Sequence, residues 1–303
     1  MGLLIRNLYL LAREHKKYPI KGDVLTLGQQ SVHATIKEAK TLFEKEGIVL
    51  KNLPLDFDTK NKIPDWEKTK YENYANCQAI LTLLGAKRVY AADISSYENP
   101  DIIMDLNIPV SHEYCNKFDI ILDIGTLEHI FNISQALENI KTMLKPGGTI
   151  ILGYPSSNFI NHGFYHICPT LLYDYFSANG FDNFSCFILK GSNLIFEKKA
   201  KIYQCNTESM TEDLTLPTKN GVEIMFFANK PLKNDNLQGK IPVQTIYKAS
   251  CYWQEKGQNP ANLKKNKLLS HLLFISRKWR PEIIDRTWKK FKTRKNLIYL
   301  GRH

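Results

Sequence analysis

Between residues 88 and 155 the chain alternates short apolar runs with helical segments. Arg88-Val89-Tyr90-Ala91-Ala92-Asp93 ends in an acid. Asp101-Ile102-Ile103-Met104-Asp105-Leu106 and Phe118-Asp119-Ile120-Ile121-Leu122-Asp123 repeat the form. Residues 134–144 then place Ala136, Leu137, Ile140 and Leu144 at helical spacing. Lys145-Pro146-Gly147-Gly148 reads as a turn, and Thr149-Ile150-Ile151-Leu152-Gly153-Tyr154 as a further strand. Near-continuous apolar runs of this kind predict strands covered on both faces. Alternating with helices, they predict a doubly wound α/β fold with a mostly parallel sheet.

The flanks extend this pattern. Asp23-Val24-Leu25-Thr26-Leu27-Gly28 reads as a buried strand ending at a turn glycine, with Ser31 as cap of a helix through Phe43 that stops at Gly47. Residues 48–70, with Pro54, Pro64 and Trp66, read as an inserted loop, either a lid or decoration. A helix is predicted over 71–84, ending at Gly85, and another over 169–179. Strands are predicted near 184–189 and 222–228. Residues 240–303 show no strand pattern but carry helix candidates at 263–279 and 282–295, broken at Pro281. The N-terminal run is interrupted by Arg6 and lacks a cleavage site, so it reads as an amphipathic first helix packed on the core.

Charge divides the chain. The net value is +11, and residues 261–303 hold 13 Lys and Arg against only Glu282 and Asp285, which accounts for all of it. Residues 1–260 are neutral, so the basic character belongs to an extension, and we place the main domain at 1–235 and a basic, mainly helical extension at 236–303. Six cysteines, none in CxxC spacing, suggest neither zinc nor a redox motif and suit a reducing cytoplasm. No apolar run reaches the roughly 18 residues that span a bilayer.

A strand, a glycine turn and a helix start put backbone N–H groups at the sheet's carboxyl edge, where open α/β sheets bind ligands. An acid ending the next strand, here Asp93, can take both hydroxyls of a ribose. Candidate proton acceptors beyond the strand ends are Glu128, His129, His162 and His166. Each histidine is equally suited to a packing role, and Glu128 to favouring a helix N-terminus.

The segments VLTLGQQ (24–30), VYAADIS (89–95), DIIMDLN (101–107), FDIILDIGTLEHI (118–130) and LKPGGTIILGYP (144–155) resemble the class I, Rossmann-like S-adenosylmethionine-dependent methyltransferases. The resemblance spans about residues 21–230. It implies a seven-stranded, mostly parallel sheet whose last two strands form an antiparallel hairpin. It implies S-adenosyl-L-methionine as cofactor. Gly28, with Gln29 beside it, would approach the methionine part, and Asp93, with Ile94, the ribose. Asp105 and Leu106 would lie by the adenine. Asp123, Ile124 and Gly125 would line the floor near the sulfonium. Two departures stand out: Gln29-Gln30 replaces the family's glycine-rich loop, and Gly28 and Asp93 are 65 residues apart, where such folds show about 20.

Three functions follow as expectations. The first is methyl transfer, chiefly to a hydroxyl of a sugar or glycan precursor. It rests on similarity of the LEHI string, the histidine loop Asn161-His162-Gly163-Phe164-Tyr165-His166 and the basic tail to methyltransferases of bacterial polysaccharide biosynthesis. The second is an RNA methyltransferase gripping its substrate with the basic tail, weakened by the neutral core. The third is a non-catalytic binding module with a degenerate cofactor loop. The tail's tryptophans and cations also suit an anionic membrane surface, for a cytoplasmic or peripheral protein.

Overall fold

The structure is a computed structural model that describes residues 2–54, 57–59, 73–191, 200–206, 216, 218–232, 240–245 and 297–302. Its elements in chain order are β1 (Gly2–Leu3), α1 (Ile5–Glu14), β2 (Gly22–Leu27), β3 (Ser31–Val32), α2 (Ile36–Lys45), α3 (Cys77–Leu84), β4 (Ala86–Asp93) and β5 (Ile102–Ile103). Then follow β6 (Phe118–Ile124), α4 (Ile133–Met143), β7 (Leu144–Ser157), α5 (Pro169–Ala178), β8 (Asp182–Lys190), β9 (Lys201–Cys205), β10 (Val222–Asn229) and β11 (Leu297–Arg302).

One nine-stranded sheet runs in the order β11-β9-β8-β10-β7-β6-β2-β4-β5. The strands from β5 to β7 are parallel. From β10 outward every pairing is antiparallel. The seven expected strands are all present, and β9 and β11 extend the sheet beyond them. The expected antiparallel partners are β8 and β10, but they are not joined as a hairpin, because β9 intervenes in sequence. β11 also corrects the expectation that residues 240–303 hold no strand. The helix candidates at 263–279 and 282–295, and most of the 48–70 insertion including Trp66, lie outside the described residues.

Strand alternation sorts the core into two layers. Leu25, Ile121, Ile150, Leu152 and Phe226 point to one face, against Ala136 and Ile140 of α4 and Leu172 and Phe176 of α5. Their neighbours Val24, Ile120, Leu122, Ile151 and Phe227 point to the other, against Leu8 and Leu11 of α1, Phe43 of α2 and Ile80 of α3. Successive strand side chains face opposite ways, so an unbroken apolar run serves both layers at once.

Local chemistry sets the helix ends. Ser31 does not cap α2; it lies in β3, paired with β1. Thr35 is the cap: its Oγ1 accepts the Glu38 N–H (3.2 Å), and Glu38 returns a bond to the Thr35 N–H (2.9 Å). α3 begins later than expected, at the cap Asn76, whose Oδ1 accepts the Ala79 N–H. It ends at Gly85 in the left-handed region. Arg6 is buried, and its guanidinium pairs with Glu223 of β10 at 2.5 and 3.1 Å, which fixes α1 to the sheet.

Candidate active site

β2 and β4 pair in parallel with Leu27 opposite Ala92, so Gly28 and Asp93 leave the sheet side by side at its carboxyl edge. The Gly28 N–H donates to the Ala92 carbonyl (2.7 Å). Gly28 has φ +71°, and a Cβ there would stand 3.0 Å from Thr126 Oγ1 and 3.9 Å from Asp93 Oδ2. The position is thus a cradle that any side chain would fill. Asp93 Oδ1 accepts the Ser95 N–H (3.0 Å), while Ile94 is exposed. Sequence reasoning overlooked Glu98, whose carboxyl is held above the usual range by burial and by the Asp93 charge.

The two glutamines do different things. Gln30 is buried and donates through Nε2 to the Leu27 carbonyl (2.6 Å), bracing the end of β2. Its Oε1 is buried and accepts no hydrogen bond among the described residues. Gln29 and Gln30 line a cleft of about 100 Å³ with Thr26, Asn76, Asn99 and Asp101. A cradle at Gly28 beside a carboxylate and an unmet amide oxygen fits a cofactor that carries hydroxyl and ammonium donors.

Asp105 lies just beyond β5. Its Oδ1 accepts both the backbone and side-chain N–H of Asn107 (2.8 and 2.9 Å), which holds its carboxyl below the usual range. Leu106 is packed into the core. Asp123 is fully buried, and both of its oxygens are engaged. Oδ1 accepts the Thr126 N–H (2.9 Å), and Oδ2 accepts the Leu127 N–H (3.1 Å) and the Tyr154 hydroxyl (2.9 Å). Burial pushes this carboxyl up to about 6, against the pull of those three donors. Asp123 therefore acts on the turn that follows β6. Ile124 and Gly125 are buried at its start, Gly125 with φ +95°.

That turn carries the catalytic candidates. Glu128 is fully buried, and neither carboxylate oxygen accepts a hydrogen bond among the described residues. Its Oε1 lies 3.7 Å from His162 Nε2 and 3.9 Å from His129 Nε2. Burial, reinforced by the Asp123 charge, pushes Glu128 up to about 8. Burial also lowers both imidazoles below their ordinary value. The histidine loop is folded onto the turn by the Glu128 carbonyl, which accepts the Phe164 and Tyr165 N–H groups (2.9 and 3.2 Å). Gly163 permits the approach, since a Cβ there would meet the Glu128 carbonyl oxygen at 2.8 Å and His129 Nδ1 at 3.2 Å. His166 stands apart: it is exposed, and its Nε2 is bonded to the Phe159 carbonyl (2.8 Å).

Thr126, also overlooked, ties the two halves together. Its hydroxyl donates to the Leu27 carbonyl (2.7 Å) directly under Gly28. The Gly28–Asp93 edge and the Glu128 cluster therefore share one rim of the sheet. The signal was in the sequence, as the Thr of the TLEHI string.

Residues 101–173 match the family model of a methyltransferase domain. No curated protein matches the chain. Among solved structures, it is similar to a SAM-dependent methyltransferase from Archaeoglobus fulgidus (12% identity, 75% of this chain and 94% of that one, TM-score 0.38). It is similar also to 1,6-didemethyltoxoflavin-N1-methyltransferase of Burkholderia thailandensis, solved with S-adenosylhomocysteine (13% identity, 75% and 78% coverage, TM-score 0.34). A third is the N-methyltransferase NodS of Bradyrhizobium japonicum (13% identity, 75% and 94% coverage, TM-score 0.34). Likeness at this level does not extend to the acceptor.

Proposed function

We propose that this protein is an S-adenosylmethionine-dependent methyltransferase, a reading supported by its Rossmann-like sheet and the methyltransferase-domain match over residues 101–173, and that it methylates a hydroxyl of a sugar or glycan precursor by in-line displacement. The observation that carries this reading is Glu128: a buried carboxylate without hydrogen-bond donors among the described residues, flanked by two imidazoles, on the rim that also holds Gly28 and Asp93.

When bound, the cofactor supplies a methyl group on a sulfonium that is already a good leaving group. The protein must then align the acceptor, exclude water and take a proton. Asp93 would accept the ribose hydroxyls, Gly28 and Gln29 would receive the methionine end, and Asp105 and Leu106 would border the adenine. Ile124 and Gly125 form the floor, which Asp123 holds in place. A general base works best with a pKa near the operating pH. Glu128, raised to about 8, meets that condition for a hydroxyl proton. His129 and His162 can relay the proton to solvent, since both are partly exposed.

The test is acceptor-dependent formation of S-adenosylhomocysteine with a panel of free sugars, sugar nucleotides and lipid-linked sugars. Glu128→Gln should lower kcat by about 10²- to 10⁴-fold, the usual contribution of a positioned base, with cofactor affinity unchanged. No heat and no thermal shift with millimolar S-adenosylmethionine would sink the enzyme reading. A lipid-linked acceptor would also give the basic stretch at 263–295 its use at an anionic membrane surface. Among the described residues, no helix is long and apolar enough to cross a membrane.

A further inference from the structure

We propose that Glu128, His129 and His162 form a binding site for a divalent transition-metal cation of the zinc class. The ligating atoms of the three side chains lie within 4.8 Å of one another. Glu128 Oε1 is the hub, at 3.7 Å from one Nε2 and 3.9 Å from the other. Ligand atoms at about 2.0–2.2 Å from a zinc ion stand roughly 3–3.5 Å apart. Small rotations of the two imidazoles therefore close the set around an ion.

Three further observations favour a cation over a closed polar network. Glu128 Oε1, Glu128 Oε2 and His162 Nε2 are buried and accept or donate no hydrogen bond among the described residues. Buried polar atoms are ordinarily satisfied, so three unmet ones on two facing side chains mark a missing partner with positive charge. Next, the three ligands cover one side only. Glu128 forms the floor, while the side chains of His129 and His162 are 45% and 30% exposed, so the remaining positions face solvent. Two histidines and one carboxylate with open positions suit a metal that also takes water or substrate. Lastly, the ligands are braced from behind, as metal ligands commonly are. Asp123 holds the 127–129 turn, and the Glu128 carbonyl binds the amides that follow His162.

Imidazole ligation selects zinc, cobalt and related ions over magnesium and calcium, which prefer all-oxygen sites. With the ion bound, Glu128 would act as its ligand and not as the base, and the metal would lower the proton affinity of the acceptor oxygen and hold it facing the methyl donor; that use, unlike metal binding itself, rests on the hydroxyl-methylation reading.

The experiment titrates tag-free, metal-stripped protein with Co²⁺, read by its visible absorption, and with Zn²⁺, read by calorimetry. One equivalent should bind, and millimolar Mg²⁺ should not displace it. Glu128→Gln and His129→Ala should each weaken binding by at least about 100-fold, while His166→Ala should leave it unchanged. His129 is partly exposed, so its variant keeps the test sound if Glu128→Gln folds poorly. Sub-stoichiometric binding, displacement by Mg²⁺, or equal affinity in the wild type and His129→Ala would overturn the site. S-adenosylmethionine binding, measured separately without metal, reports on the methyltransferase reading alone.

Discussion

Asp123→Asn offers a stability test in which two opposing effects have different pH dependence. The carboxylate meets three donors: the Thr126 and Leu127 amides and the Tyr154 hydroxyl. An asparagine has one acceptor oxygen and one NH₂ in the same space. The tyrosine hydroxyl can turn and accept from that NH₂, but one backbone N–H is then left buried without an acceptor. That orphan costs about 1–3 kcal/mol at every pH. Against it stands the charge. The Asp123 carboxyl moves from 3.8 to about 6 on folding, so ionisation disfavours the folded state by about 3 kcal/mol once both states are charged. The folded state holds the proton more tightly. This group's contribution to stability is therefore fully present below pH 3.8 and lost as pH rises through 6. The variant has no such loss. Urea denaturation across pH 4 to 7.5 should show Asp123→Asn clearly less stable than the wild type at pH 4. The gap should then narrow by about 2–3 kcal/mol towards neutrality. A gap that is constant with pH, or that widens as pH rises, refutes the reasoning.

Other outcomes follow from the same geometry. Asp93→Ala should weaken S-adenosylmethionine binding by about 100-fold or more, since bonds to a charged acceptor are worth about 1.5–3 kcal/mol each; unchanged affinity in calorimetry would refute the ribose role. Gly28→Ala should cost about 1–2 kcal/mol of stability from its left-handed backbone and also weaken cofactor binding, because the added methyl enters the cradle. Arg6→Ala should destabilise the fold by up to about 3 kcal/mol by leaving the largely enclosed Glu223 unpaired, which denaturation at neutral pH would measure.

Much of this architecture is legible in the sequence, for identifiable reasons. β6, β7 and α4 are strongly periodic and doubly covered, so composition alone announces them. The strand ends at Gly28 and Asp93 are legible because turn chemistry and charge mark the carboxyl edge. What the sequence hides is long-range. β9 and β11 are short, weakly alternating strands towards the sheet's rim; β9 pairs with its sequence neighbour β8, but β11 owes its existence to β9, far back along the chain. The choice of Thr35 over Ser31 as a cap depends on Ser31 being claimed by β1. LEHI shows Glu128 and His129 to be interesting. That His162 joins them while His166 does not is set by the carbonyl and amide bonds that fold one loop onto the other.

The position of β10 between β7 and β8 also constrains the order in which the molecule can be completed during synthesis. The parallel half, β4 to β7, can assemble as each strand leaves the ribosome, because every new strand finds its neighbour already made. β8 and β9 emerge before the strand that must lie between them and β7. They have only each other until residue 229 has been made. A nascent chain stopped near residue 206 therefore carries the whole rim with Gly28, Asp93 and Glu128, yet presents the open edge of β7 to its surroundings. Closing that edge joins β8 and β9 to the parallel half and leaves only β11 to add at the far rim, and it is the step at which a chaperone or a second nascent chain would compete.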